Sequence, residues 1–235
     1  MKIIFSWDDG ALEDQRLFEI HEKYEIPGMF FVPTGNAEGR KVLTPEMIRN
    51  AESEYVAFGG HTENHKYLTD IPPAAVEGEI RNNKEYLEEI LSHEVNSFCF
   101  PGGRYDPAIL KTAKKYYRRL RTADTMCFRD PADGLLKPAI HFYPRGIRSL
   151  MGNAVKNGSY RELFYVAAHR TLPYFELIQR LIEFERDRDG VVAVWGHSWE
   201  IEKYGLWETL EELIKSIKSF GICRFSAVYE GCERG

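Results

Sequence analysis

The chain has 235 residues, 43% of them hydrophobic and 29% charged, which suits one large globular core and excludes a disordered chain. A formal net charge of −5 argues against nucleic acid as a partner, because such binding rests on Lys and Arg neutralising phosphates. No apolar run approaches about 18 residues, so no membrane-spanning helix is expected.

Local composition narrows the reading further. The basic stretch from Lys111 to Arg121 reads as the solvated face and end of a helix. Four cysteines (Cys99, Cys127, Cys223 and Cys232) lack any C-x-x-C spacing, which supports neither a disulfide framework nor a cysteine zinc site. With no apolar signal-peptide core at the N-terminus, reduced thiols and a cytoplasmic setting are the expectation. A single domain over residues 1–235 is expected, its oligomeric state left open.

In chain order, Lys2–Trp7 reads as a buried strand that ends on Asp8-Asp9-Gly10. Adjacent carboxylates repel unless a cation compensates them, and a divalent metal does so by taking one of the two. Glu13–Tyr24 has helical spacing, with Leu17, Ile20, His21 and Tyr24 on one face. Gly28–Val32 is a strand. Pro45–Ser53 is a short helix with Thr44 as its cap. Tyr55–Phe58 is a strand that leads into His61-Thr62-Glu63-Asn64-His65. Two histidines at i and i+4 share a helix face or converge in a tight loop, and either way they grip one ion. Thr62 is placed to cap a first turn if a helix forms.

Ala74–Leu91 is a long amphipathic helix, and Ser97–Phe100 is a strand that runs into Pro101-Gly102-Gly103-Arg104-Tyr105. Glycines after a strand leave backbone N–H donors exposed, and such donors hold a developing oxyanion. Pro107–Tyr117 is a helix opened by Asp106 and Pro107. Arg119–Thr122 and Phe142–Ile147 read as strands with an irregular connection between them. Tyr174–Arg186 is a helix, and Val191–Gly196 is a nearly continuous apolar strand, as expected where both faces are covered. It ends on His197, set between Trp195 and Trp199. A half-buried imidazole there suits proton donation to a leaving amine. Glu208–Phe220 is a helix and Cys223–Val228 a last strand. The remaining histidines get plainer roles: His21 and His93 on helix or loop surfaces, His141 and His169 in the irregular region, where a substrate contact stays open.

Alternating strands and helices imply a parallel sheet, either a barrel or a doubly wound sheet. In both, ligands bind at the C-terminal ends of the strands, where the polar clusters fall.

From Lys2 to Glu200, these motifs resemble those of the polysaccharide deacetylases, the NodB-homology group or carbohydrate esterase family four. Ser-Trp-Asp-Asp-Gly at 6–10 resembles T-F-D-D-G, His61 to His65 matches H-[ST]-x-x-H, and Phe100-Pro101-Gly102-Gly103 resembles the P-Y-G loop. The resemblance implies a distorted (β/α) barrel of about seven parallel strands and one divalent metal, usually zinc, with cobalt, nickel or manganese as substitutes. It implies Asp9, His61 and His65 as ligands, Asp8 as general base, His197 as general acid and the Gly102 N–H at the oxyanion site. Gly103 adjoins that site. Tyr105, Trp199 and Trp207 are candidates for stacking on a sugar ring or for the core.

Two positions depart from the pattern. Many members carry an Arg two residues before the loop proline, and here that position is Cys99. Arg145, in Tyr143-Pro144-Arg145-Gly146, is the expected substitute. Trp7 stands where Phe is usual and is expected to repack the barrel. The implied substrate is an N-acylated amino sugar, either a small soluble sugar or a glycan precursor. A related hydrolase of a non-sugar C–N bond, such as a cyclic amide or ureide, and a non-catalytic carbohydrate-binding relative stay open as alternatives.

Overall fold

A computed structural model describes residues 1–131, 133–188, 190–220 and 224–225. The strands are β1 (Lys2–Asp8), β2 (Gly28–Val32), β3 (Val56–Gly60), β4 (Ser97–Cys99), β5 (Arg119–Arg121), β6 (Leu135–Leu136), β7 (Ile140–His141), β8 (Val191–Gly196) and β9 (Arg224–Phe225). The α-helices are α1 (Asp14–Tyr24), α2 (Pro45–Ala51), α3 (Pro73–Leu91), α4 (Pro107–Tyr116), α5 (Ile147–Lys156), α6 (Tyr160–Ala168), α7 (Tyr174–Glu185), α8 (Ser198–Tyr204) and α9 (Trp207–Ser219). Local chemistry starts two of them as expected. Thr44 Oγ1 accepts from the Met47 N–H, and Asp106 Oδ1 accepts from the Ile109 N–H at 2.8 Å.

All the pairings between these strands are parallel, in the order β6-β5-β4-β3-β2-β1-β8-β7, with β9 also on β1. The two outermost strands, β6 and β7, are joined by only a few residues. Four steps of chain, Leu136 to Ile140, reach at most about 14 Å. The ends of the strand order are therefore held close together, and the sheet curls into an incomplete barrel. No helix among the described residues is long and apolar enough to cross a membrane.

The period-2 alternation of a strand decides which residues face the interior of the curl. On β1, Ile3, Phe5 and Trp7 join the large core beneath the helices. Ile4 packs the other way, with Leu136, Val191 and Ala193. Asp8 follows Ile4 in phase and so points inward. Met29, Phe31 and Cys99 line the same inner face.

Several expectations change. Phe142–Ile147 is not a strand: β7 ends at His141, and Ile147 begins α5. Pro144 brings no ladder N–H, which ends pairing there. The apolar spacing of Ile147, Leu150, Met151 and Ala154 is the helical signal for α5. Strand β6 and helices α6 and α8 also emerge from stretches without an expected element. Of the expected strand Cys223–Val228, only Arg224–Phe225 falls among the described residues; the rest, with Cys223 and Cys232, lies outside them.

His21 is a further correction. It is fully buried rather than on a helix surface. Its Nδ1 lies 2.7 Å from the Ile26 carbonyl, an acceptor only, so Nδ1 carries the proton. Its Nε2 then accepts from the Trp7 indole N–H at 2.8 Å. Trp7 is thus accommodated by a specific polar partner as well as by space. Burial lowers the His21 pKa from 6.5 to about 4, against the opposing effect of the Ile26 bond.

A depressed histidine pKa means that the unfolded chain takes up the proton first. The contribution is therefore complete above pH 6.5 and lost as pH falls from there towards 4. About 1.36 kcal/mol per pKa unit gives roughly 3 kcal/mol in all. Denaturant unfolding at pH 7.5 and pH 4 is expected to show an acid-side loss larger by about that amount in the wild type than in His21→Gln. Equal losses in the two proteins would contradict the buried neutral imidazole.

Candidate active site

The histidine pair sits in a loop, not on a helix. Thr62 (φ 70°) and His65 (φ 54°) adopt left-handed backbone, as does Asp9 (φ 76°) after β1. Such conformations are uncommon for residues with a Cβ and persist only where the surroundings enforce them. Thr62 is buried within this loop and caps no helix. Helix α3 holds the loop through two residues one turn apart. Asn83 Oδ1 accepts from the His61 N–H at 2.7 Å, and Glu79 accepts from the Asn64 backbone and side-chain amides at 2.8 and 3.0 Å. Gly10 (φ 57°) turns the chain after Asp9, where a Cβ would meet Val32 Cγ1 at 2.7 Å.

The result brings Asp9, His61 and His65 together, with one ligand atom from each inside a 4.8 Å radius of the others. Asp9 Oδ1 is 2.9 Å from His65 Nε2 and 3.6 Å from His61 Nε2. Tetrahedral ligands at 2.0–2.2 Å from zinc stand roughly 3.4 Å apart, so this donor set fits a small divalent ion. His61 Nδ1 donates to the Cys99 carbonyl at 2.8 Å, which leaves the Nε2 lone pair facing Asp9. Burial alone would raise the Asp9 pKa, but the neighbouring imidazoles of His61, His65 and His197 hold it below the usual carboxylate range. The Trp199 indole N–H donates to Asp9 Oδ2 at 2.9 Å and fixes the carboxylate from the other side.

Asp8 is paired with Arg121, not with Arg145. The Arg121 guanidinium donates to Asp8 Oδ1, and both side chains are buried. Arg121 lies between the rings of Phe31 and Trp195, at 5.0 and 5.2 Å from their centroids. The β4–β5 register sets Arg121 directly beside Cys99. Neighbouring residues in register share a sheet face, so the charge absent at Cys99 is supplied one strand over. Cys99 Sγ lies 3.7 Å from Asp8 Oδ2, and burial pushes its thiol pKa up. The expectation that Lys111 to Arg121 forms a solvated face therefore fails at its last residue, which points into the barrel.

Arg145 instead meets His141. Its Nη2 and Nε lie 2.8 and 3.1 Å from His141 Nδ1. His141 Nε2 lies 3.1 Å from Glu200 Oε2, and the same oxygen is 2.6 Å from His197 Nδ1. His197 Nε2 is thereby turned towards Asp9, 4.0 Å from Oδ1. Burial opposes protonation of His197, but its bond to Glu200 and the charges of Asp9 and Asp8 raise its pKa above the ordinary value. Burial likewise works against an ionised Glu200, yet the two histidine bonds hold it down to about 2.

A cavity of about 290 Å³ has Asp8, Asp9, His61, His65 and His197 in its wall. Gly102 and Trp199 line it as well. The Gly103 N–H is already given to the Phe100 carbonyl at 2.7 Å, so it is not an oxyanion donor. Tyr105 stacks on Phe100 at 5.0 Å and packs against the core. Trp207 is buried, with its indole N–H on Glu202. The residues missed from sequence are Arg121, Glu200, His141, Asn83 and Glu79. An arginine at the C-terminal end of a short strand and a carboxylate three residues after His197 were the signals for the first two.

Residues 1–120 match the family model for polysaccharide deacetylase. A peptidoglycan-N-acetylglucosamine deacetylase from Bacillus cereus is 23% identical over 157 residues, which cover 66% of this chain and 67% of that protein. Among solved structures, the Streptococcus pyogenes deacetylase PplD in complex with acetate is 25% identical, with a TM-score of 0.52. That match covers 57% of this chain and 61% of PplD, less than two thirds of its length. A family 4 carbohydrate esterase from Streptomyces lividans, also in complex with acetate, superposes over 95% of this chain and 91% of its own. Its TM-score is 0.59 at 12% identity, a likeness of fold.

Proposed function

Because the chain belongs to the polysaccharide deacetylase family, we propose that it hydrolyses the N-acetyl group of an amino sugar or glycan precursor with one divalent metal. The observation that carries this reading is the convergence on one cavity of Asp8, held from behind by Arg121, of Asp9 with His61 and His65, and of His197, held by Glu200. A volume of about 290 Å³ lies at the lower bound of small-molecule sites, which suits one sugar unit at a time.

Asp9, His61 and His65 would hold the metal, and two imidazoles with one carboxylate favour zinc over calcium or magnesium. An ion bound there would supply Lewis-acid chemistry, polarising the acyl carbonyl and acidifying water. Asp8, held by Arg121, accepts one proton from the attacking water as its oxygen bonds to the acyl carbon. The Gly102 N–H faces the oxygen on which negative charge develops. His197 delivers its Nε2 proton to the nitrogen as the C–N bond breaks, and the free amine leaves with acetic acid, which ionises to acetate in water. Glu200 keeps the His197 ring aimed while this happens.

The test is acetate release from an N-acetylated sugar and its oligomers, beside ring opening of a cyclic amide and a ureide. Acetate release alone is the expected result. Turnover of the cyclic compounds without any from the sugars would transfer the reading to non-sugar C–N bonds.

A further inference from the structure

We propose that Arg145 and His141 are positioning residues for the proton donor His197, acting on it through Glu200. The inference rests on the role given to His197 above and adds a chain of contacts that fixes a tautomer. A guanidinium has donors and no acceptor, so the two contacts from Arg145 require a lone pair on His141 Nδ1. The His141 proton must then sit on Nε2, the nitrogen that faces Glu200 Oε2 at 3.1 Å. The same carboxylate oxygen receives the His197 Nδ1 proton at 2.6 Å. Glu200 is held by two donors, and the Nε2 of His197 is left for the cavity.

The surroundings leave His141 no other pose. Its ring stacks on Trp195 with centroids 3.9 Å apart and planes 7° apart, and it also stacks on Tyr143. Its carbonyl accepts from the Tyr174 hydroxyl at 2.7 Å. Burial lowers its pKa to about 4 despite the Glu200 bond, so the ring is neutral and has one N–H to place. Without Arg145, that proton is free to move to Nδ1. A bare Nε2 lone pair would then face the Glu200 carboxylate, two acceptors in contact, and Glu200 would lose one of the two donors that orient it. A wrong imidazole tautomer beside an otherwise intact site is enough to disable proton transfer.

Proton donation matters in proportion to how poor the leaving group is. The experiment therefore compares an N-acetylated sugar, whose amine must be protonated, with 4-nitrophenyl acetate, whose phenolate leaves unaided. Arg145→Met is expected to lower kcat on the sugar by about 10- to 100-fold, with KM nearly unchanged. It should change kcat on the aryl ester by less than about threefold. Arg145→Lys, which keeps one donor within reach of Nδ1, should recover part of the loss. Equal losses on both substrates, or none on the sugar, would overturn the proposal.

A second measurement does not depend on turnover. The ¹⁵N shifts of the His141 ring should report the Nε2–H tautomer in the wild type and its loss in Arg145→Met. An Nδ1–H tautomer in the wild type would overturn the proposal. If the wild type released no acetate from any sugar, the proposed function would fail, and the ¹⁵N result would still decide the positioning chain.

Discussion

Arg121→Ala is expected to lose about 100-fold in kcat, on the sugar amide and on the aryl ester alike. The reason lies in what remains after the guanidinium is gone. Asp8 Oδ1 loses the buried donor that holds its carboxylate in place, and a base that is no longer aimed takes the proton of the attacking water poorly. Both substrates need attack by water, so both are slowed, unlike in Arg145→Met. The same change should destabilise the fold by about 3–5 kcal/mol, because it breaks a buried ion pair from one side. Asp8→Asn combined with Arg121→Met removes both charges and should regain most of that stability without regaining activity. Denaturant midpoints and kcat for the three proteins check this. A wild-type kcat in Arg121→Ala would return the search for the Asp8 partner to other residues.

His61→Ala and His65→Ala are expected to bind zinc below one equivalent and to lose at least about 1,000-fold in activity. Lewis-acid stabilisation of the transition state is worth several kcal/mol, and each 1.4 kcal/mol is a factor of ten. Chelation of the wild type should have the same effect, with recovery on adding zinc, whereas the variants should not recover. Metal binding also stabilises whatever fold presents the ligands, by about 4 kcal/mol at a thousand times the dissociation constant. Zinc is therefore expected to raise the melting temperature of the wild type and to leave both variants nearly unmoved. Full activity in a metal-stripped sample is the outcome that would falsify the metal assignment.

Much of the architecture is written in local patterns. Gly28–Val32 and Val191–Gly196 appear with the expected boundaries, and most other strands and helices up to β5 lie within two residues of theirs. Their signals are short-range: apolar runs bounded by turns, and caps such as Thr44 and Asp106. The grouping of Asp9 with His61 and His65 is equally legible, because Asp9 follows a strand directly and the two histidines are four residues apart. Short range also explains the errors. Tyr143-Pro144-Arg145 looks like a strand end to a local reading, and the tail of a basic run looks like solvent-facing charge.

The partners of His197 and Asp8 belong to a different level. Asp8 and Arg121 are 113 residues apart, and His141 and Glu200 are 59 apart. What joins them is register between strands, Cys99 beside Arg121 and His141 beside Trp195, together with the curl that brings the two ends of the sheet close. Register depends on how whole strands pack, and no local pattern carries it. The sequence by itself singled out Asp9, His61 and His65 as one group and determined where the strands that carry them lie. Only the tertiary structure decided that Arg121 charges the Asp8 site while Arg145 turns to His141, because inside a low-dielectric barrel each buried charge must be met by whichever opposite group the packing places beside it.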